Sequence, residues 1–470
     1  MKQIKKLLVA NRGEIACRVF RTAEEMGLET SAVYTEDDDG MPHMRRREAK
    51  LLSNYLAMDE VIDAAKAFKS DAIHPGYGFL AENPEFARKC AAADVIFIGP
   101  SPEAMEAVGD KSKARAQARK LDIPFTEGLG PFTKVADVEK AAAKLGAPLM
   151  LKAAAGGGGK GMKKLLTLKG LREQVETSQR ETKAAFGDDR LIVERYIYPA
   201  RHVEVQIFGD GKRAIALGER ECSLQRRHQK IIEETPSTAV DDALRERLSD
   251  AAVRIAESVG YKNAGTVEFL LGPGGEFYFL EVNARLQVEH PVTEMCTGLD
   301  LVRMQIEIAQ DGKLMKQEDV RREGHAIEAR LNAEDPYNNF LPSAGKVLRA
   351  YFPDSVRADS GLGTKVTTQY DSLVAKVIAH GADREAARLR LIEALKAIVL
   401  LGFYTNQAFV MEILMSRLFI DGNTHTASID EMKIGRRPMS ESMAAAAALI
   451  LLGPGRRPEG VWATGPWRLA

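Results

Sequence analysis

The chain has 470 residues, too many for one ordinary hydrophobic core, and a prior of roughly 150 residues per domain gives about three compact units. Apolar residues make up 45% and charged residues 28%, the balance of a globular chain that buries a large core, which sets disorder aside. Lys plus Arg and Asp plus Glu both number 66, so the formal net charge of zero supplies no bulk field toward nucleic acid or an anionic membrane, and any anion must be held by local groups.

At the N-terminus, MKQIKKLLVANRGEIA puts basic residues before a short apolar run, but Asn11, Arg12 and Glu14 break the run before it reaches signal-peptide length; a first strand is the better reading. Short apolar runs then alternate with helical patterns: KKLLVAN, GEIACRVFRTAEEMG, SAVYT, and later DAIHPGYGF and DVIFIGP. That alternation predicts βαβ units and a largely parallel sheet over residues 1–111. Sites on such sheets gather at strand ends, where NRGEIA and HPGYGFLAEN fall, although NRGEIA also fits a plain turn opening a helix.

The helical stretch GDKSKARAQARKLDIP leads into a second unit, residues 112–322, with a lid at about 131–202. PLMLKAAAGGGGKGMKKLL reads as a strand, a glycine run and a second strand, and RLIVERYI, RHVEVQIFG, AIALGERECS, AGTVEFLL and EFYFLEVNARLQVEH are mostly β signals. A third unit, 323–435, mixes strands such as GHAIEARLNAEDP with the helical DREAARLRLIEALKAIV. The tail 436–470 is rich in Ala, Pro, Gly and Arg and carries Trp462 and Trp467; it reads as a linker. The longest apolar stretch, Met443 to Leu452, is about half of what a membrane-spanning helix needs, so a cytoplasmic location is expected. Cys17, Cys90, Cys222 and Cys296 lie far apart without a CxxC pair, which argues against a zinc site or a disulfide framework.

The strongest chemical signal is a hairpin. A two-residue turn at Gly274-Gly275 joins TVEFLL to EFYFLEVN and sets Glu268 directly opposite Glu281. Two facing carboxylates repel unless a cation lies between them, and hard oxygen ligands of this kind suit magnesium; two solvated glutamates on an exposed sheet face are the alternative. From Glu281 onward the odd positions are polar (Glu281, Asn283, Arg285, Gln287, Glu289) and the even ones apolar (Val282, Ala284, Leu286, Val288), so an extended chain would line one side with functional groups. An amphipathic edge strand has the same period.

The run Gly156 to Gly159, before Lys160-Gly161 and after Lys152, can bring backbone N–H groups close to phosphates, and is not a Walker A loop because Lys160 precedes Gly161; a flexible linker is the alternative. In ERECSLQRRHQKIIEE, Arg220, Gln225, Arg226, Arg227, His228 and Lys230 sit beside four acids, a mixed set able to bind anions. A solvated charge run is the usual reading of such a cluster, but Cys222, Leu224, Ile231 and Ile232 imply partial burial.

Together, HPGYGFLAEN, GDK, LKAAAGGGGKGM, RHVEVQ, ERECSLQRRHQK, EFYFLEVNARLQVEHPVTE and EARLNAEDP resemble the biotin carboxylase family, in the style of acyl-CoA and pyruvate carboxylases, over about residues 2 to 435. QRRHQK, NARLQVEHPVTE and RLNAEDP in this order separate that family from other ATP-grasp enzymes such as carbamoyl-phosphate synthetases. The resemblance implies a Rossmann-like N-terminal parallel sheet, a central ATP-grasp domain with a glycine-rich lid, and a C-terminal mixed α+β domain. It implies ATP held by Lys111, Lys152, the Gly158-Gly159 backbone, Met162, the hinge Glu194, Arg195, Tyr196 and Ile197, His202, Gln225, His228, Glu268 and Glu281, with magnesium (or manganese) on Glu268, Glu281 and Asn283. Bicarbonate would lie on Lys230, Arg285, Gln287 and Val288, with Glu289 as its general base; Arg330 would stabilise the biotin enolate while Tyr77 packs near the ring. Lys230, Arg285, Glu289 and Arg330 would thus be the catalytic set.

The implied reaction carboxylates biotin on a carrier protein through carboxyphosphate, with biotin carboxyl carrier protein and carboxyltransferase on separate chains and the carboxylase itself a homodimer. Charged residues and a metal suit phosphoryl transfer, which rests on positioning and on neutralising charge at oxygens. The sequence also departs from the family. PHMRRREAKLLSNYLAMDEV is shorter and more basic than the usual acidic stretch, and Ala155 stands where many members have another glycine. No Ala-Met-Lys-Met biotinylation motif is present, Met432-Lys433-Ile434 being the nearest match. Two rival functions are an ATP-grasp ligase acting on another carboxylate and a silent nucleotide-binding scaffold; intact Lys230, Arg285, Glu289 and Arg330 speak against the second.

Overall fold

Five short strands near the N-terminus, β1 (Lys6–Val9), β2 (Glu29–Tyr34), β3 (Glu48–Leu51), β4 (Ala72–His74) and β5 (Ile96–Phe97), pair in parallel in the order β3-β2-β1-β4-β5. The computed structural model describes residues 3–154, 161–227, 229–432 and 434–435. Gly158, Gly159, His228 and the tail 436–470 lie outside the described residues, as do the side chains of Lys111 and Ser112. The central strand β1 is apolar on both faces, with Leu7, Leu8 and Val9 fully buried, as a parallel strand covered by helices must be. Chain order reverses between β1 and β4, so the segments leaving those two strands, NRGEIA and HPGYGFL, emerge side by side at the switch point. β3, with the sequence EAKL, was not foreseen: it lies at the sheet edge, where charged residues blunt further pairing, and so shows no apolar alternation.

A second, four-stranded antiparallel sheet has the order β6-β9-β7-β8, from β6 (Gly128–Phe132), β7 (Leu149–Ala153), β8 (Met162–Leu165) and β9 (Leu191–Arg195). Helices Val135–Leu145 and Leu171–Phe186 cover it, and Leu149, Leu151, Val175, Leu191 and Val193 form its core. The strand, glycine run and strand read from PLMLKAAAGGGGKGMKKLL are β7 and β8, which pair with Lys152 opposite Met162.

The largest sheet has eight antiparallel strands. Its order is β14 (Phe277–Asn283), β13 (Lys262–Leu271), β10 (Arg201–Asp210), β11 (Ala214–Arg226), β12 (Gln229–Thr235), β15 (His325–Asn332), then Leu373–Gly381 and Arg357–Ser360. Pairing of β12 with β15 carries it without a break past residue 322 into the C-terminal part. Helix Asp242–Ser258, capped by Asp241, lies on β10 and β11; helix Arg384–Ala397, capped by Asp383, lies on β15 and Leu373–Gly381. No helix among the described residues is long and apolar enough to cross a membrane. The four cysteines are free, and burial pushes their thiols upward, to about 11 for Cys17 and about 12 for Cys90 and Cys296.

Candidate active site

The site is built on the β13–β14 hairpin. Glu268 and Glu281 are direct cross-strand partners, but not through a two-residue turn. Gly272 and Glu276 close the hairpin, the Gly272 N–H donating to the Glu276 carbonyl at 2.8 Å, and Pro273, Gly274 and Gly275 form a three-residue loop with Gly275 at φ +80°. By itself that loop would slip the register by one and face Glu268 with Leu280. A bulge at Leu280 takes up the extra residue and restores the pairing of the two glutamates. Expected register and observed register agree, therefore, for a different reason.

The ladder continues across the sheet. Glu268 lies opposite Glu204 on β10, and Glu204 opposite Arg220 on β11, so four charged residues from four adjacent strands share one face. Lys230, from β12, reaches into this row and donates to Glu204 Oε2 at 2.6 Å, Glu268 Oε1 at 3.1 Å and Glu289 Oε1 at 2.6 Å. Arg330, from β15, donates to Glu289 Oε2 at 2.8 Å and through Nε to Glu233 Oε1 at 2.5 Å. Arg220 holds the other oxygen of Glu204 at 2.6 Å and is itself fully buried.

Electrostatics follow from these distances. Burial alone would raise the Glu289 carboxyl, but Lys230, then Arg330 and Arg220, hold it well below the usual carboxylate range. Glu268 is likewise lowered against its burial by Lys230 and His202, whose Nε2 lies 3.1 Å from Glu268 Oε2. Glu204 goes the other way: burial and the charge of Glu289 raise it, so of this close carboxyl pair Glu289 is the one held ionised. Deep burial of so many ions is tolerable because each finds a partner within hydrogen-bond range.

The polar alternation after Glu281 holds in burial only as far as Leu286: regular strand ends at Asn283, and in the turn that follows Gln287 and Glu289 are buried while Val288 is half-buried and lines the cavity, because the chain there is no longer extended. Val282, Ala284 and Leu286 are buried in the core. The Arg285 guanidinium turns along the chain, donating to Gln287 Oε1 at 3.0 Å, Asn283 Oδ1 at 3.2 Å and Glu82 Oε2 at 2.9 Å. Asn283 in turn donates to Glu268 Oε1 at 2.9 Å. Two carboxylates and an amide oxygen at neighbouring register positions are a hard-oxygen set that fits a magnesium ion whose shell is completed by phosphates and water.

A cavity of about 710 Å³ opens over this row toward the four-stranded sheet, lined by Lys152, Met162, Glu194, Arg195, Tyr196, Ile197, His202, Gln225, Lys230, Glu268, Glu281, Asn283, Arg285, Gln287, Val288 and Arg330. On its far wall Glu194, 1% exposed, receives Lys152 Nζ at 2.6 Å and pairs with Arg115; burial would raise its carboxyl, and Lys152 and Arg115 lower it instead. Glu289 lies just behind the wall, fully buried beneath Lys230 and Arg330. Tyr77 is not part of the lining: its hydroxyl is bonded to Glu14.

Sequence reasoning missed Glu82, Arg115, Glu204 and Glu233. Glu82 lies inside HPGYGFLAEN, and besides Arg285 it accepts from the Ala284 N–H at 2.8 Å. Glu204 had a legible signal, since RHVEVQ sets His202, Glu204 and Gln206 on alternate positions of a strand that is otherwise apolar and buried.

Known proteins share this arrangement over nearly the whole chain. Three family models match in tandem: Biotin carboxylase, N-terminal domain, at residues 3–105; Carbamoyl-phosphate synthase L chain, ATP binding domain, at 110–317; and Biotin carboxylase C-terminal domain at 328–431. Biotin carboxylase 1 of Bacillus subtilis is 43% identical over 443 residues, covering 91% of this chain and 98% of that protein. Methylcrotonoyl-CoA carboxylase subunit alpha, mitochondrial, of Rattus norvegicus is 44% identical over 91% of this chain, which spans only 62% of the rat protein. The crystal structure of the biotin carboxylase domain dimer of Hydrogenobacter thermophilus 2-oxoglutarate carboxylase, in complex with MgADP, ADP and bicarbonate, superposes with a TM-score of 0.88 at 39% identity, covering 92% of this chain and 98% of that one. Its parallel sheet, ATP-grasp centre and antiparallel C-terminal extension, with these matches, make the chain a member of the biotin carboxylase family.

Proposed function

We propose that this chain uses ATP and bicarbonate to carboxylate biotin presented by a carrier protein, through carboxyphosphate. One observation carries the reading: a fully buried carboxylate, Glu289, is held ionised by two cations, Lys230 and Arg330, beside a hard-oxygen row and a third cation, Arg285, on one cavity. Lys152, Met162, the segment Glu194–Ile197, His202 and Gln225 are the nucleotide side of that cavity, and Lys111, Gly158, Gly159 and His228 complete it in this reading. Glu268, Glu281 and Asn283 would hold magnesium, which when bound would offset charge on the transferred phosphoryl oxygens.

Bicarbonate sits against Lys230, Arg285, Gln287 and the Val288 backbone. As its oxygen attacks the γ-phosphorus, the bond from that phosphorus to the β,γ-bridging oxygen breaks, ADP leaves with the electron pair, and the bicarbonate proton passes to Glu289. A carboxylate held so far down is a weak base at rest; bicarbonate competes for Lys230, and each contact drawn away from Glu289 raises its basicity when the proton arrives. Carboxyphosphate then yields carbon dioxide and phosphate, phosphate takes the N1 proton of biotin, Arg330, charged at any working pH, steadies the enolate, and N1 attacks the carbon of carbon dioxide to form carboxybiotin. Tyr77, outside the cavity lining with its hydroxyl on Glu14, backs the biotin subsite in this reading. Exclusion of water would protect carboxyphosphate from hydrolysis.

In this reading residues 1–111, 112–322 and 323–435 are the three functional units, which the spans of the matched family models support. A biotin carrier and a carboxyltransferase are its partners in this reading, the latter choosing the final acyl-CoA or pyruvate acceptor, and the carboxylase works as a homodimer. Four free thiols favour a reducing compartment, the cytoplasm. ATP cleavage that requires bicarbonate and rises with free biotin is the expected result. Glu289→Gln lowers that turnover by about 10²- to 10⁴-fold while ADP still binds. Turnover indifferent to bicarbonate, or unchanged in Glu289→Gln, rejects the reading.

A further inference from the structure

NRGEIA, the first motif of the chain, has no role in the site as built so far. Its residues nonetheless touch two separate parts of that site. Asn11 is 3% exposed, and its Nδ2 donates to the carbonyl of Pro75 at 2.7 Å and of Tyr77 at 2.8 Å, fastening the HPGYGF segment to the end of β1. Glu14, in the first turn of helix Gly13–Glu25, accepts the Tyr77 hydroxyl on one oxygen and lies 3.1 Å from Lys376 Nζ with the other. Lys376, on strand Leu373–Gly381 and fully buried, donates to the Val288 carbonyl at 2.9 Å. It stands in register opposite Arg330 on the neighbouring strand.

A buried lysine is costly unless it meets fixed acceptors, and its only neutral one here is a backbone carbonyl inside the Gln287–Glu289 turn. His290 anchors the same turn, its Nδ1 lying 2.8 Å from the Gln287 carbonyl. The parts cannot slide past one another. Gly361, just beyond strand Arg357–Ser360, lies so close to the start of the helix that a Cβ on it would come within 2.1 Å of the Gly13 carbonyl carbon.

We infer that Asn11, Glu14 and Lys376 form a buried brace that sets Tyr77 and the Gln287–Glu289 turn at a fixed spacing, making them positioning residues for the biotin and bicarbonate subsites together. The inference rests on the function proposed above, and extends it to a motif whose Glu14 lies 274 positions before Val288 in the turn it holds. Lys376 moves the turn directly; Glu14 acts on it through Lys376 and on Tyr77 through the phenol.

The test is steady-state, bicarbonate-dependent ATP cleavage by the full chain with free biotin, alongside direct ADP binding. Misplacing a bound reactant by about an ångström costs up to about 100-fold, so Lys376→Met is expected to raise the KM for bicarbonate and for biotin by on the order of 10- to 100-fold. ADP affinity stays at its original value, and Glu14→Gln moves the same two constants in the same direction. A purely structural role would lower the melting temperature without separating bicarbonate from nucleotide. Should Lys376→Met fail to fold, the double variant Glu14→Gln/Lys376→Met removes both buried charges and keeps the defect, because Val288 still lacks its donor. Folded variants with unaltered bicarbonate and biotin constants overturn the brace alone. An unsubstituted chain whose ATP cleavage ignores bicarbonate overturns the proposed function, and the brace with it.

Discussion

The central strand of the parallel sheet and the charged face of the eight-stranded antiparallel sheet are both hidden from water but carry opposite chemistries. Leu7, Leu8 and Val9 of β1 are fully buried among apolar neighbours. At the centre of the larger sheet Glu204, Gln206, Arg220 and Glu233 are just as fully buried, joined by Lys230 and Glu289. Area burial accounts for the first sheet. It also accounts for the other face of the larger sheet, where Val203, Val205, Val267, Phe269 and Phe279 are buried in one apolar cluster, but not for the charged face, because well-packed apolar residues in place of a buried ion pair are commonly as stabilising or more so. The charged lattice is instead a set of dipoles and ions aligned before any substrate enters, which is where electrostatic catalysis draws its strength. One face of the larger sheet stabilises; the other gives up stability for a site.

The sharpest way to break this contrast is Arg220→Met. It takes from buried Glu204 one of its two cations, leaving Lys230 on the other oxygen, and is expected to cost about 3–5 kcal/mol, read as a fall in the denaturation midpoint. Pairing it with Glu204→Gln should recover much of the stability and none of the ATP turnover. A single variant as stable as the original chain would mean that the two sheets do not differ in kind.

Acid sharpens the contrast next. Burial pushes His43 and His74, beside the parallel sheet, down to about 4; Arg12 and Arg47 push His43 the same way while Asp38 opposes, and a bond with Gln305 opposes the fall of His74. The unfolded chain binds these protons first, so their stabilising contribution is complete above about pH 6.5 and is lost as pH falls toward 4, by up to roughly 3 kcal/mol each. Glu268 and Glu289, held down by cations, surrender their share only at lower pH. Melting curves from pH 7 to 4.5 should therefore show an early loss that His43→Gln reduces. Equal slopes for the two proteins would refute the assignment. The smallest effect is local: Asn83→Ala removes a cap that accepts from the Phe86 N–H at 3.0 Å and should cost about 1 kcal/mol by thermal melt, leaving the KM for bicarbonate untouched.

Much of the fold was legible. KKLLVAN, SAVYT and DAIHP became strands because short apolar runs alternating with helical patterns fit the buried strands of βαβ units, and NRGEIA opened a helix as its pattern implied. The hairpin register was right although its turn was not, since a loop one residue longer and a compensating bulge leave the same pair of glutamates facing. Glu204 and Glu233 escaped notice because local sequence carries burial only weakly for a charged residue, a glutamate in a strand ordinarily signalling the solvent face; Glu82, exposed in a turn, meets Arg285 only across 203 positions of chain. Tyr77, assigned to the biotin ring by resemblance, spends its hydroxyl on Glu14, a partner 63 positions away that no local pattern points to.

By itself the sequence determined the element order, the site motifs and the alternation of polar and apolar side chains, because these depend on neighbours two to four positions apart. Which carboxylates are ionised, which cation serves which acid, and how NRGEIA reaches the Gln287–Glu289 turn were decided only by tertiary structure. Charge interactions act through space at a few ångströms and in a low dielectric, so strands distant in the chain had to be brought side by side before those energies existed.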